Sequence, residues 1–105
     1  MIKYIALYRT PSDPADFDEK YFGSHAPLVA KTPGLVRMEV ARVQRVVFPG
    51  FLGDTRPHLV AEMYFESAES AKAAFKSPEW AASGENLAEI GGLELVTMFT
   101  AEVLG

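Results

Sequence analysis

The apolar residues of this chain fall into six stretches whose periods run strand, helix, strand, strand, helix, strand. That order limits the fold more than any other feature does. Ile2 to Tyr8 is rich in aliphatic and aromatic residues and predicts a strand. Thr10-Pro11-Ser12-Asp13-Pro14 breaks it and opens a helix, with Asp13 suited to the N-cap and Pro14 to the first helical position. Phe17, Tyr21, His25 and Leu28 then recur on one helical face. Pro27 lacks the N–H that the Gly23 carbonyl needs, so a disturbance is expected near the end of this helix, and Pro33-Gly34 closes it.

Leu35 to Val47 predicts a second, long strand. Pro49-Gly50, Gly53-Asp54 and Pro57 mark a long turn before a third strand at Leu59 to Phe65. Ser67 caps a helix that runs through Ala71, Ala74 and Phe75. Ser77-Pro78 restarts it in a new direction, with Trp80, Leu87 and Ile90 on the inner side. Gly91-Gly92 ends that helix and Leu93 to Val103 predicts the last strand. Right-handed crossovers turn this order into an α+β, ferredoxin-like βαββαβ fold, a four-stranded antiparallel sheet with helices on one face. All 105 residues form one domain, 1–105.

A sheet with one wet face reads apolar on one side and polar on the other. Here Ile2, Tyr4, Ala6 and Tyr8 take one face of the first strand, yet Ile5 and Leu7 take the other. The last strand sets Leu93, Leu95, Phe99 and Val103 against Val96 and Met98. Two helices cover one face only, so the other is expected to meet a second copy of the same sheet.

Composition excludes several chemistries. Cysteine is absent, which removes disulfides, thiolate metal sites, iron–sulfur clusters and a cysteine nucleophile. A net charge of −4 argues against a nucleic-acid binder, which depends on clustered Lys and Arg. Residues 1–57 carry eight basic and six acidic side chains, and residues 58–105 carry two and eight, an asymmetry expected on solvated surface. No apolar run approaches the ~18 residues of a membrane span, and the opening stretch is interrupted by charge too early for a signal peptide. The expectation is a cytoplasmic protein with neither nucleic-acid nor membrane partner.

Phosphate loops, dinucleotide fingerprints, nucleophile elbows and H-E-x-x-H are all missing. The two histidines, His25 and His58, have no metal-ligand spacing, so no metal is expected. His25 shares its helical face with aromatic residues and points toward the sheet. Imidazole titrates near neutrality, which suits it to moving a proton. From spacing alone the stronger reading is a partly buried histidine satisfied by a backbone carbonyl at a helix break. Tyr4, Tyr8, Tyr21 and Tyr64 offer hydroxyls to a pocket, or large apolar bodies to a core. Trp80 lines either. His58 is expected at a strand rim, and Arg37, Arg42, Arg45 and Arg56 at a charged strand edge or around an anion.

Tyr21-Phe22-Gly23-Ser24-His25-Ala26-Pro27-Leu28-Val29, followed by Thr32-Pro33-Gly34-Leu35, resembles the EthD family, small proteins first associated with alkyl-ether degradation. Ala61-Glu62-Met63-Tyr64-Phe65-Glu66-Ser67 and Ser77-Pro78-Glu79 extend the likeness over nearly the whole chain. The chain departs from it at Glu85-Asn86-Leu87, where many members carry an acidic residue and a short aromatic-containing stretch. The resemblance implies sheets paired into a dimeric α/β barrel, and His25 facing a cavity between sheet and helices. It also implies a small-molecule enzyme of catabolism or secondary metabolism, often labelled an oxidoreductase, working without a cofactor. Its chemistry would be acid/base, with His25 catalytic and Tyr4, Tyr8, Tyr21, Tyr64 and Trp80 binding an aromatic, polyketide-like or lactone substrate. The alternatives are a non-catalytic metabolite-binding or oxygenase-accessory barrel, and a purely structural dimer.

Overall fold

A computed structural model describes residues 1–105. The chain runs β1 (Ile2–Arg9), α1 (Pro14–Lys20), a π-helical turn (Tyr21–His25), α2 (Ala26–Ala30), β2 (Leu35–Arg42) and β3 (Pro57–Phe65). It continues through α3 (Ala68–Phe75), α4 (Pro78–Glu89) and β4 (Val96–Glu102). The strands form one antiparallel sheet in the order β2-β3-β1-β4, with β1 and β3 central. This is the ferredoxin-like fold expected from the strand and helix order. No helix is long and apolar enough to cross a membrane.

The expected caps all form. Asp13 Oδ1 accepts from the Asp16 N–H at 3.1 Å, the Ser67 hydroxyl accepts from Ser70, and the Ser77 hydroxyl accepts from Trp80. Each satisfies one of the N–H groups that a helix start leaves free. After α4, Gly91 takes a φ of 79°, which an L side chain rarely adopts, and a Cβ on Gly92 would collide with Leu87. The Gly-Gly pair thus turns the chain and also lets it pass close to the core.

The register places Tyr4 and Tyr8 beside Met63 and Leu59 on one neighbour, and Ala6 beside Met98 on the other. This face meets the helices and holds the core, where Tyr8, Tyr21, Leu59 and Phe65 are the largest wholly buried side chains. Alternation puts Ile5, Leu7, Val60 and Phe99 on the opposite face, away from the helices; Phe51 and Leu52 of the long turn approach its Leu7 end, and Phe99 is 50% exposed.

Four sequence expectations are corrected. β2 stops at Arg42 rather than Val47 because its partner β3 begins at Pro57; only the Val43 N–H still reaches the His58 carbonyl. β3 accordingly starts two residues earlier than Leu59. Leu93 lies in a short 3₁₀ turn, Gly92–Glu94, so β4 begins at Val96. In the first helical region Val29 rather than Leu28 is buried. The π-helical turn just before Pro27 is the cause. It shifts the backbone bond to i→i+5, from the Ala26 N–H to the Tyr21 carbonyl, and the inner face becomes Phe17, Tyr21, His25 and Val29.

Candidate functional site

A cavity of about 140 Å³ lies between the sheet and the π turn, α2 and α4. Ten of its thirteen lining residues are hydrophobic, so whatever fills it is held mainly by apolar contact. Two aromatic groups wall it. On one side Tyr4 meets Trp80 edge-on at 4.9 Å between ring centroids, with Phe75 behind both. On the other, Tyr8 meets Tyr21 edge-on at 5.3 Å, with Phe17 behind. Leu93 and Met98, both largely exposed, border it on the β4 side.

His25 enters from the π turn. It is 5% exposed, and its ring lies 5.1 Å from that of Tyr21. Its Nδ1 is sealed from solvent and makes no hydrogen bond. Burial lowers its pKa below the ordinary histidine value, against a smaller opposing pull from the Asn86 side chain and the Ser83 carbonyl beside the ring. The imidazole is therefore neutral at pH 7 and able to accept a proton. Burial also raises the phenols: Tyr21 is pushed up to about 12, Tyr8 further, and Tyr4 in the same direction. All three remain protonated donors across the physiological range. Tyr4 donates to the Met98 sulfur at 2.9 Å, and the Tyr8 and Tyr21 hydroxyls interact with one another.

The structure therefore brings five of the six residues singled out in the sequence, His25, Tyr4, Tyr8, Tyr21 and Trp80, to one cavity. Tyr64 does not join them. Its partners in register are Lys3 and Arg37, on the face away from the helices, and the Arg37 guanidinium lies 4.2 Å from its ring centroid. His58 is not at a rim but buried, with Nε2 donating to Asp18 Oδ1 at 2.7 Å. The four arginines do not form one patch, since Arg42 binds Asp18 at 2.7 Å while Arg37 binds Glu39 at 2.6 Å. The cavity also contains Ser83 and Met98, which the sequence reading missed. Ser83 had a signal: it falls between Trp80 and Leu87 at helical spacing, a polar residue on an apolar stripe.

The EthD domain family model matches residues 9–89. The chain belongs to the EthD family. It is 38% identical to an EthD family protein of Bacillus halodurans, whose crystal structure superposes with a TM-score of 0.88 over 99% of both chains. It is 31% identical, over 97% of this chain and 95% of the relative, to an uncharacterized 11.0 kDa protein from the thcB-thcC intergenic region of Rhodococcus erythropolis. Two more distant structures share the fold. One is a dimeric ferredoxin-like protein of unknown function from Thermobifida fusca (15% identity, TM-score 0.67, 97% and 90% of the two chains). The other is SnoaB, a cofactor-independent oxygenase from Streptomyces nogalater (17% identity, TM-score 0.61, 99% and 91%).

Proposed function

We propose that this EthD protein is a small-molecule enzyme that removes a proton from an apolar, single-ring substrate, with His25 as the base. The observation that carries this reading is a buried imidazole, the only basic side chain lining an otherwise apolar cavity. Size narrows the substrate. A cavity near 150 Å³ accommodates a benzene-sized guest, so about 140 Å³ suits one aromatic or lactone ring. Of the three classes the resemblance implies, a multi-ring polyketide fits least.

Proton abstraction from a C–H or O–H beside a carbonyl moves the proton to the imidazole and leaves the electron pair on the substrate oxygen. Within the Tyr8–Tyr21 pair, held neutral by burial, one hydroxyl donates to the other and the remaining O–H is the donor left for that oxygen in a site of low dielectric. The distant fold relative SnoaB, described as a cofactor-independent oxygenase, makes chemistry without a bound cofactor a fitting class for this geometry. The uncovered sheet face carrying Ile5, Leu7, Val60 and Phe99 supports a homodimer, sheet against sheet.

The test is a thermal-shift screen of wild type and His25→Gln against aromatic acids, quinones and lactones. A ligand at 100 times its Kd stabilises the fold by about 2.7 kcal/mol, roughly 10 °C or more in a domain of this size. Binders identified this way are then assayed for turnover, and undiminished turnover by His25→Gln would remove the mechanism. The second reading, a metabolite-binding protein, is favoured by the commitment of the Tyr4 hydroxyl to Met98 and of Tyr8 to Tyr21. Recovery of the ligand chemically unaltered would select it.

A further inference from the structure

Two polar atoms near the cavity are sealed from solvent without a hydrogen bond: His25 Nδ1, on the π turn, and Asn86 Oδ1, on α4. The only other sealed and unpartnered side-chain atom is the Thr32 hydroxyl. Native interiors leave few such groups, and a pair on two packed elements calls for a reason.

The orientation of Asn86 supplies one. The Ser24 hydroxyl donates to the Lys20 carbonyl at 2.7 Å, which uses its only hydrogen. Ser24 Oγ can then only accept, and it accepts from Asn86 Nδ2 at 3.3 Å. With its amide nitrogen turned to Ser24, Asn86 directs its carbonyl oxygen the other way, and its side chain stands beside the His25 ring. A carbonyl can only accept. A neutral imidazole whose Nδ1 carries the hydrogen meets it favourably, whereas the other tautomer sets two lone pairs against each other away from water.

We propose that Asn86 is a positioning residue that holds His25 in the Nδ1–H tautomer, so that Nε2 presents its lone pair to the cavity. The proposal rests on the proton-transfer reading for its function but not for its test. It assigns separate tasks to the two helical elements: the π turn delivers the imidazole, and α4 fixes which nitrogen reacts. An amide suits this task better than a carboxylate, because it orients the ring without a charge that would favour imidazolium.

The experiment is ¹⁵N NMR of the imidazole nitrogens at pH 7.5, with His58→Gln used to assign the only two histidines. Wild type is expected to show His25 protonated at Nδ1. Asn86→Leu removes the side-chain acceptor, leaving the Ser83 carbonyl beside the ring, and is expected to shift the tautomer ratio about fivefold to tenfold toward Nε2–H, the scale of one hydrogen bond. Asn86→Asp keeps an acceptor and is expected to retain Nδ1–H while raising the pH at which the ring titrates. A wild-type ring protonated at Nε2, or a ratio unmoved in Asn86→Leu, overturns the proposal. Should Asn86→Leu fail to fold, the wild-type tautomer and the Asn86→Asp titration decide it. Turnover in His25→Gln separately tests the base, so failure of the base and failure of the tautomer lock are told apart.

Discussion

Asp18→Ala tests how the first helix is anchored to the sheet. The Asp18 carboxylate is 17% exposed and takes two hydrogen bonds of 2.7 Å, one from His58 Nε2 on β3 and one from Arg42 Nη2 on β2. The two arms differ in worth. Arg42 is 62% exposed and regains water when released, so its contribution is about 0–1 kcal/mol. The His58 side chain is only 10% exposed, and its N–H would be left without an acceptor, at about 1–3 kcal/mol. The expected loss is about 2–3 kcal/mol, a fall in Tm of roughly 10–20 °C.

The same contact has a pH signature. Burial raises the Asp18 pKa, but the hydrogen bonds from His58 and Arg42 together outweigh it, and the net shift is downward from the ordinary 3.8. A carboxyl whose folded pKa is depressed contributes fully above its unfolded pKa, and that contribution is lost as pH falls through the folded value. Urea denaturation from pH 7 to pH 3 should therefore show a gap between wild type and Asp18→Ala that is flat above about pH 5 and narrows below 3.8. A loss under about 0.5 kcal/mol at pH 7, or a gap that widens on acidification, would refute the reasoning. Because Asp18 lies one turn before the π turn, the variant should also weaken ligand-induced thermal shifts.

Three other outcomes are expected. In Phe99→Lys a lysine occupies the β4 side of the uncovered sheet face, and an unpaired charge in a sheet-to-sheet interface costs several kcal/mol. Sedimentation should show a dimer in wild type, a monomer in the variant, and an unchanged circular dichroism spectrum. Gly84 borders the cavity with nothing within 4 Å of where a Cβ would sit, so Gly84→Leu should fold yet abolish ligand-induced stabilisation in thermal-shift assays. Burial lowers the His25 pKa, so the neutral base persists as pH falls past 6.5, and the acid limb of a kcat/KM profile should lie below that value. A limb above 6.5 would contradict burial as the dominant influence on the ring.

The six elements and the three helix caps were legible because they depend on neighbours in sequence: alternation, helical spacing, and a Ser or Asp just before a helix. Side-chain placement was legible only where one element decides it. Tyr4 and Tyr8 share a face because they stand four positions apart along β1, an even offset, and that face meets the helices. Tyr64 belongs to a different strand, and its side is set by the pairing Tyr4↔Met63, a contact between residues far apart in the chain. One step of register moves a tyrosine from the cavity to the opposite face. No pattern internal to β3 contains that information.

The deepest gap lies at Pro27, and it coincides with the site. The sequence shows that a helix interrupted there must be disturbed, but not how the backbone resolves the conflict. A kink, a break or a π turn each removes the demand on the missing N–H. The π turn keeps Tyr21 and His25 on the inner face, buries Val29 in place of Leu28, and carries Ser24 to Asn86. The cost of the irregular turn and of the sealed His25 Nδ1 falls in the segment that places the only imidazole of the cavity, and the second sealed atom, Asn86 Oδ1, lies on the helix packed against it. Local rules are broken in folded proteins mostly where function requires it. The Pro27 region breaks backbone regularity and polar satisfaction together, while the caps and alternation elsewhere obey the rules. This clustering is the structural reason to look for chemistry at His25 rather than at His58, whose Nε2 is already matched by a carboxylate.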